Sequence, residues 1–309
     1  MQTTIGTAIS FDGPGLHSGA PARLTIRPAG ADHGIWFKRC DVELGDAMIP
    51  ARWDMVRTSP LCTEIVNAAG VAVSTVEHVM AALAGCGVHN ALVEIDGPEA
   101  PILDGSSVPF VRGILKAGLR PQGVPVRAIE ILEAVEVETP SGWARLSPAK
   151  PGTGLEMSFH IDFTDAAIGR QEKRLNLANG TFVRELCDSR TFCRAADVEA
   201  MHAVGKALGG TLENAVVVDG DKVLSPGGFR REDEAVRHKM LDALGDLALA
   251  GAPILGLYEG HKAGHALTNA LLRALFARPT AWRMVSCDAE MAESLPGSGV
   301  ERDEIPAVA

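Results

Sequence analysis

The chain has 309 residues, 46% of them hydrophobic, with 39 acidic against 29 basic side chains and a net charge of −10. That length supports a sizeable core and two domains of ordinary size, while the acidic balance argues against a nucleic-acid partner and against attachment to an anionic membrane by charge. Cysteines 40, 62, 86, 187, 193 and 287 lie far apart with no C-x-x-C spacing, so they read as reduced thiols of a cytosolic protein and not as a disulfide frame.

The first residues, "MQTTIGTAISFDGPGLHSG", show neither the basic nor the apolar region of a signal peptide. No run approaches the roughly 18 apolar residues of a membrane span, and a soluble, cytoplasmic protein is expected. Strand-like runs follow at 22–29, 33–40 and 71–76. Periodicity predicts helices over 74–87 and 106–118, with an apolar strand at 90–96 between them. "PQGVPVR" (121–127) is the clearest break, and it divides the chain into expected domains 1–124 and 125–309. Beyond it, 128–139, 142–148 and 154–163 read as strands. A helix over 231–251, a strand at 253–259 and a helix over 264–277 complete the pattern. The tail 293–309 carries no motif and is expected to be loose.

The two halves look like weak copies. Each has a His-bearing helix ("EHVMAALAG", "RHKMLDALG"), then an apolar strand ("NALVEID", "PILGLYE"), a turn and a second helix. Setting His78 on His238 also matches Met80 with Met240 and puts Ala82 where Asp242 stands. The expected fold is therefore a duplicated α+β unit, a layer of strands packed on helices in each half. The two histidines would then face each other across the interface between halves, a common place for a ligand site.

His238, Asp242 and Asp246 recur at i, i+4 and i+8 among Met240, Leu241, Leu244 and Leu247, so they share one helix face. Taken alone, that stripe reads equally as the solvated face of an amphipathic helix. A carboxylate buried among leucines, however, is costly unless paired or bound to a cation. Ser74-x-x-Glu77 reads as a capping box, which would occupy Glu77 structurally; the other reading is a carboxylate beside a metal-ligating His78, placed to deprotonate a water. Two histidines and one carboxylate leave an open position on zinc, the pattern of a catalytic site. His261 and His265 form a competing i, i+4 pair, but two glycines make a regular helix across them doubtful. His265 at a helix start is a candidate general acid, with Asp246 holding its other ring nitrogen. Lys239 is either a solvated helix lysine or a cation for an oxyanion or phosphate.

"STVEHVMAALAGCGVHNALVEIDGPEAPILDGSSVPFV", "SRTFCR", "LGGTLENAVVV", "EAVRHKMLDALGDL" and "GHKAGHALTN" together resemble the UDP-3-O-acyl-N-acetylglucosamine deacetylases, zinc enzymes of the committed step of lipid A synthesis in Gram-negative bacteria. The resemblance runs in order over nearly the whole chain and implies one zinc ion and a small-molecule substrate, the acylated UDP-sugar; the acidic balance suggests brief visits to the membrane at most, and with no obvious coiled coil a monomer is the default. It implies two α+β domains packed helix layer to helix layer, with small inserts completing the site. His78, His238 and Asp242 match the zinc ligands, Glu77 the general base, His265 the general acid and Asp246 its support. Thr191 matches the hydroxyl that stabilises the oxyanion and Lys239 a substrate-contacting lysine. Phe192 and Phe163 match aromatics near the sugar nucleotide, and His17 is a further motif residue assigned to substrate. An insert spanning 196–218 would form an apolar passage for the acyl chain, lined by Val198, Ala207, Leu212 and Val217; without the resemblance these four read as core. Arg194, Arg231, Ala235, Ala263 and Thr268 depart from the family pattern, which bears on acyl length and affinity more than on the reaction. A non-catalytic binder of acylated sugar nucleotides and a zinc amidohydrolase for another N-acetylated sugar stay open beside the deacetylase.

Overall fold

The computed structural model describes residues 1–59 and 61–307. In the strand Pro21–Pro28 the buried residues are Ala22, Leu24 and Ile26, every second one, so the strand presents a single apolar face. It sits in a five-stranded sheet ordered Ile9–Pro14, Pro21–Pro28, Ala91–Ile95, Ile35–Arg39, Met48–Pro50. Ala91–Ile95 runs antiparallel to Pro21–Pro28 and parallel to Ile35–Arg39. Helices α1 (Glu77–Gly85) and α2 (Val108–Ala117) belong to this half and touch each other. Thr3–Ile5 pairs with Leu119–Pro121, which brings the start of the chain beside the break.

The second half builds a seven-stranded sheet around Ile254–His261, which pairs antiparallel with Gly142–Ser147 and parallel with Arg127–Ile131 and Leu155–Asp162. The single strand expected over 128–139 is two, Arg127–Ile131 and Val135–Thr139. Between them the N–H groups of Leu132 and Glu133 turn to the Ala281 carbonyl, which ends the ladder. The helices here are α3 (Thr181–Glu185), α4 (Ala195–Ala203), α5 (Glu234–Ala248), α6 (His265–Phe276) and α7 (Ala289–Glu293). Each half thus repeats the expected order: α1 or α5, then a central strand, then α2 or α6. One cluster of buried apolar side chains runs through both halves, from Ile26 and Phe37 to Tyr258 and Leu271. Among the described residues no helix is long and apolar enough to cross a membrane.

The expected loose tail is packed up to residue 307 in part. Leu295 is buried, the Gly180 N–H donates to the Ser298 carbonyl, and Glu304 pairs with Arg184 at 2.7 Å. Polar composition hid one buried leucine and one ion pair, and those hold the segment; residues 308 and 309 lie outside the described residues.

Helix α5 is buried along almost its whole length, His238, Asp242 and Asp246 included, which rules out the solvated-face reading of its stripe. It lies directly on α1. Gly245 permits this approach, because a Cβ there would overlap the Glu77 backbone carbonyl. Helix propensity alone favours Gly245→Ala by about 1 kcal/mol, but a neighbouring backbone cannot yield as a flexible side chain can. The expected outcome is a net destabilisation on the order of 1–3 kcal/mol, read by urea or thermal unfolding; a stabilised variant would show that the two helices part freely.

Candidate metal centre and its acid–base pair

The entry to α1 sets the first part of the site. Ser74 closes the strand Ala72–Ser74 and turns its hydroxyl to the Pro98 carbonyl, and the residue before α1 is Val76, with no side-chain cap. The capping box is therefore not formed. Thr75 adopts a left-handed φ of 57°, which β-branched residues avoid, and its hydroxyl is held by Glu99 at 2.9 Å. Freed from capping, the Glu77 carboxylate is buried and accepts the Thr63 N–H at 3.0 Å. Burial pushes the Glu77 carboxyl upward, against the pull of His265 and His78.

His78 on α1 meets His238 and Asp242 on α5. The imidazole rings of His78 and His238 stand perpendicular, with centroids 5.1 Å apart. Asp242 Oδ1 lies 3.3 Å from His238 Nε2 and 3.6 Å from His78 Nε2. Four ligands at about 2.0–2.1 Å in a tetrahedron stand roughly 3.3 Å from one another, so this spacing suits one ion. The buried Asp242 Oδ1 has no hydrogen-bond partner among the described residues, an orphan that a cation would satisfy. His238 Nδ1 lies 3.0 Å from the Ser189 carbonyl, which can only accept; Nδ1 therefore carries the proton and Nε2 keeps its lone pair for a metal. Burial pushes the His238 pKa down to about 4 despite Asp242, leaving the neutral imidazole that ligation requires. The residues present fit a metal ion.

The segment that supplies Ser189 is itself pinned. The buried Glu234, in the first turn of α5, accepts from the Arg190 N–H and Nε, both at 2.9 Å, and pairs with its guanidinium. Thr191 follows directly, its N–H on the Gly105 carbonyl and its own carbonyl taking the Val216 N–H, both at 2.8 Å. Phe192 comes next, its ring 6.2 Å from that of His238 and edge-on to Phe163 at 5.4 Å.

On the other side, α6 begins at His265, and His261 ends the preceding strand, so the i, i+4 pair is not helical. His261 instead stacks between Trp143 and His160. His265 Nδ1 meets Asp246 Oδ2 at 2.9 Å, and its Nε2 lies 3.7 Å from Glu77 Oε1. Burial opposes a charge on His265, but Asp246 and Glu77 outweigh it and hold its pKa up to about 9. Lys239 donates to Asp242 Oδ2 at 2.8 Å, on the side away from the orphaned oxygen.

Of the remaining expected residues, Val198, Ala207, Leu212 and Val217 share the segment 196–218, which the backbone of His17 meets at Leu208. The buried His17 gives its N–H to Glu99 Oε1 at 2.8 Å, and its carbonyl accepts from Leu208. Ala207 and Val217 are buried, but Val198 is only partly so on α4, a helix with no fully buried residue, and Leu212 is 43% exposed. The core reading therefore fails for Val198 and Leu212. Ala235, Ala263 and Thr268 are core positions, Thr268 meeting the Tyr258 hydroxyl at 3.0 Å, and Arg231 pairs with Asp188. Sequence reasoning missed Thr63, Glu99 and the Arg190–Glu234 pair, none of which sits in a local pattern that marks it.

A sequence profile described as UDP-3-O-acyl N-acetylglycosamine deacetylase matches residues 2–277. The chain is similar to proteins named UDP-3-O-acyl-N-acetylglucosamine deacetylase. The one from Phenylobacterium zucineum (strain HLK1) is 50% identical over 295 residues, 96% of this chain and 100% of that protein. The one from Shewanella frigidimarina (strain NCIMB 400) is 44% identical over 292 residues, 94% of each. That from Shewanella baltica (strain OS155) is 43% identical over 306 residues, 97% of this chain and 99% of that protein. Matched across its α+β fold at such identities, the chain belongs to the UDP-3-O-acyl N-acetylglycosamine deacetylase family.

Proposed function

We propose that this chain hydrolyses the N-acetyl group of UDP-3-O-(3-hydroxyacyl)-N-acetylglucosamine, giving acetate and the free amine, the committed step of lipid A biosynthesis. The observation that carries this reading, in a chain of this family, is the placing of Glu77 and His265 beside a buried three-donor group, with Glu77 Oε1 3.7 Å from His265 Nε2. A pure binder needs neither a base nor an acid there.

His78, His238 and Asp242 would hold one zinc ion, a choice over Fe(II) that the donor set alone does not dictate. Bound there, the metal supplies Lewis-acid polarisation of the acetamide carbonyl and a more acidic water. Glu77, its carboxyl raised by burial, takes the proton of the attacking water. Thr191 donates its hydroxyl to the developing oxyanion, beside the positive charge of His265. His265 then protonates the leaving nitrogen from Nε2, while Nδ1 keeps its proton and donates it to Asp246 Oδ2, which fixes the ring. Lys239, Phe192, Phe163 and His17 contact the sugar nucleotide. Val198, Ala207, Leu212 and Val217 line the acyl passage, and the exposure of Val204, Leu208 and Leu212 on one insert supports an apolar ligand there. The protein acts as a cytoplasmic monomer of two domains, 1–124 and 125–309, approaching the membrane only transiently.

Acetate release from the acylated UDP-sugar tests this reading. Activity is expected to vanish on chelation and to return with zinc. His265→Ala is expected to lower kcat by about 10²–10⁴-fold with little change in KM. Tight substrate binding without acetate from the metal-loaded protein would overturn the assignment. Shortening the 3-O-acyl chain is expected to lower kcat as well as raise KM, because remote apolar binding energy is spent on the reacting centre. Equal turnover of acylated and non-acylated sugar nucleotides would remove the passage from the mechanism and favour an amidohydrolase of other N-acetylated sugars.

A further inference from the structure

Just before the strand Glu64–Val66, the first half of the chain passes through Cys62 and Thr63, both buried. Thr63 reaches two helices. Its N–H donates to Glu77 Oε2 at 3.0 Å, and its carbonyl accepts the N–H of Val76 at the entry of α1. Its hydroxyl crosses to α5 and donates to Asp246 Oδ1. The other Asp246 oxygen takes Nδ1 of His265. Glu77, Thr63, Asp246 and His265 thus form one continuous hydrogen-bonded line, assembled from both halves.

We infer that Thr63 is a positioning residue for the acid–base pair. The terminal torsion of an aspartate is broad and roughly two-fold. With one oxygen free, Asp246 could turn about its Cβ–Cγ bond and carry the hydrogen-bonded imidazole with it. The Thr63 hydroxyl removes that freedom, because an ionised carboxylate only accepts and each oxygen now has its own donor. His265 is the first residue of α6, so the helix gives its side chain little other support. The same threonine, through its N–H, holds Glu77 in the same frame. It therefore sets where His265 Nε2 stands relative to Glu77 and to the bond being cleaved.

The kinetic arm of the test rests on the deacetylase reading; the spectroscopic arm does not. Thr63→Val keeps the backbone N–H and nearly the shape but loses the hydroxyl, and Thr63→Ser restores it. In the full-length, zinc-loaded protein, Thr63→Val is expected to lower kcat about 10–100-fold, as a misplacement near 1 Å does, with KM nearly unchanged and Thr63→Ser recovering most of the loss. On a His265→Ala background, Thr63→Val is expected to cost little more, because the two act as a unit. By ¹⁵N–¹H NMR, the His265 Nδ1 proton is expected in the parent and in Thr63→Ser, and shifted or lost in Thr63→Val. Parental kcat in Thr63→Val, equal impairment in Thr63→Ser, or a fully multiplicative loss on His265→Ala would each overturn the inference. If the parent itself released no acetate, the deacetylase reading would fall, and the NMR comparison would still decide: an unchanged His265 signal in Thr63→Val sinks the inference. Should Thr63→Val not fold, Thr63→Ala carries the same comparisons.

Discussion

The rest of the structure depends on the close approach of α1 and α5 at Gly245. It closes a seam between the halves, and the chain buries there three carboxylates, Glu77, Asp242 and Asp246. Burying such groups is expensive unless each charge finds a partner. Lys239 and the charged His265 answer two of them. Asp242 has one oxygen on Lys239; the other has no hydrogen-bond partner among the described residues and faces the imidazoles of His78 and His238. That oxygen stands 3.3 Å from His238 Nε2 and 3.6 Å from His78 Nε2. A divalent cation would satisfy that oxygen, so the packing as well as the ligand types fits a metal ion.

The same seam turns one residue type to opposite ends. His238 and His265 are both imidazoles in low-dielectric surroundings, yet one is driven down to about 4 and the other up to about 9. The atoms that face Nδ1 account for the difference. His238 has a neutral backbone carbonyl there, from Ser189, so burial decides and the ring stays uncharged. His265 has the Asp246 carboxylate, with Glu77 nearby, so two anions outweigh burial. Environments that push like groups apart leave one ring a neutral donor and the other a proton carrier. The two states could not be exchanged without moving Ser189 or Asp246, and each of those is pinned in turn, the first by Arg190–Glu234 and the second by Thr63.

What the sequence made legible was what helix periodicity carries. His238, Asp242 and Asp246 share a face by spacing alone, Glu77 and His78 open a helix, and Gly264 stands just before the helix that His265 begins. The repeat of helix, central strand and helix in both halves could also be read from apolar patterning. The braces could not. Thr63 reaches Asp246 across 183 positions, Glu99 reaches His17 across 82, and Arg190 reaches Glu234 across 44. No local period encodes contacts of that range. The one local pattern that did point elsewhere, the capping box at Ser74, lost to tertiary contacts: the Ser74 hydroxyl went to the Pro98 carbonyl and the Glu77 carboxylate to the Thr63 N–H, so neither end of the box was left to form it.

The departure at Arg194 illustrates how a residue can look wrong in sequence and fit in space. Read along the chain, a charge replaces an apolar wall of the acyl passage. In the structure its guanidinium pairs with the buried Asp165. Arg194 lies two positions after Phe192, and Asp165 two positions after Phe163; those two rings meet edge to plane at 5.4 Å. Ion pair and aromatic contact therefore fasten the same two segments at neighbouring points. With Arg194 38% exposed, the pair adds about 0–1 kcal/mol to stability at most. Its effect lies in register: it fixes how far the strand Phe192–Arg194 can slide against the segment bearing Phe163, and so where Phe192 stands against His238. A long-range constraint of that kind acts on the position of Phe192 without touching Glu77, His265 or the three candidate metal ligands.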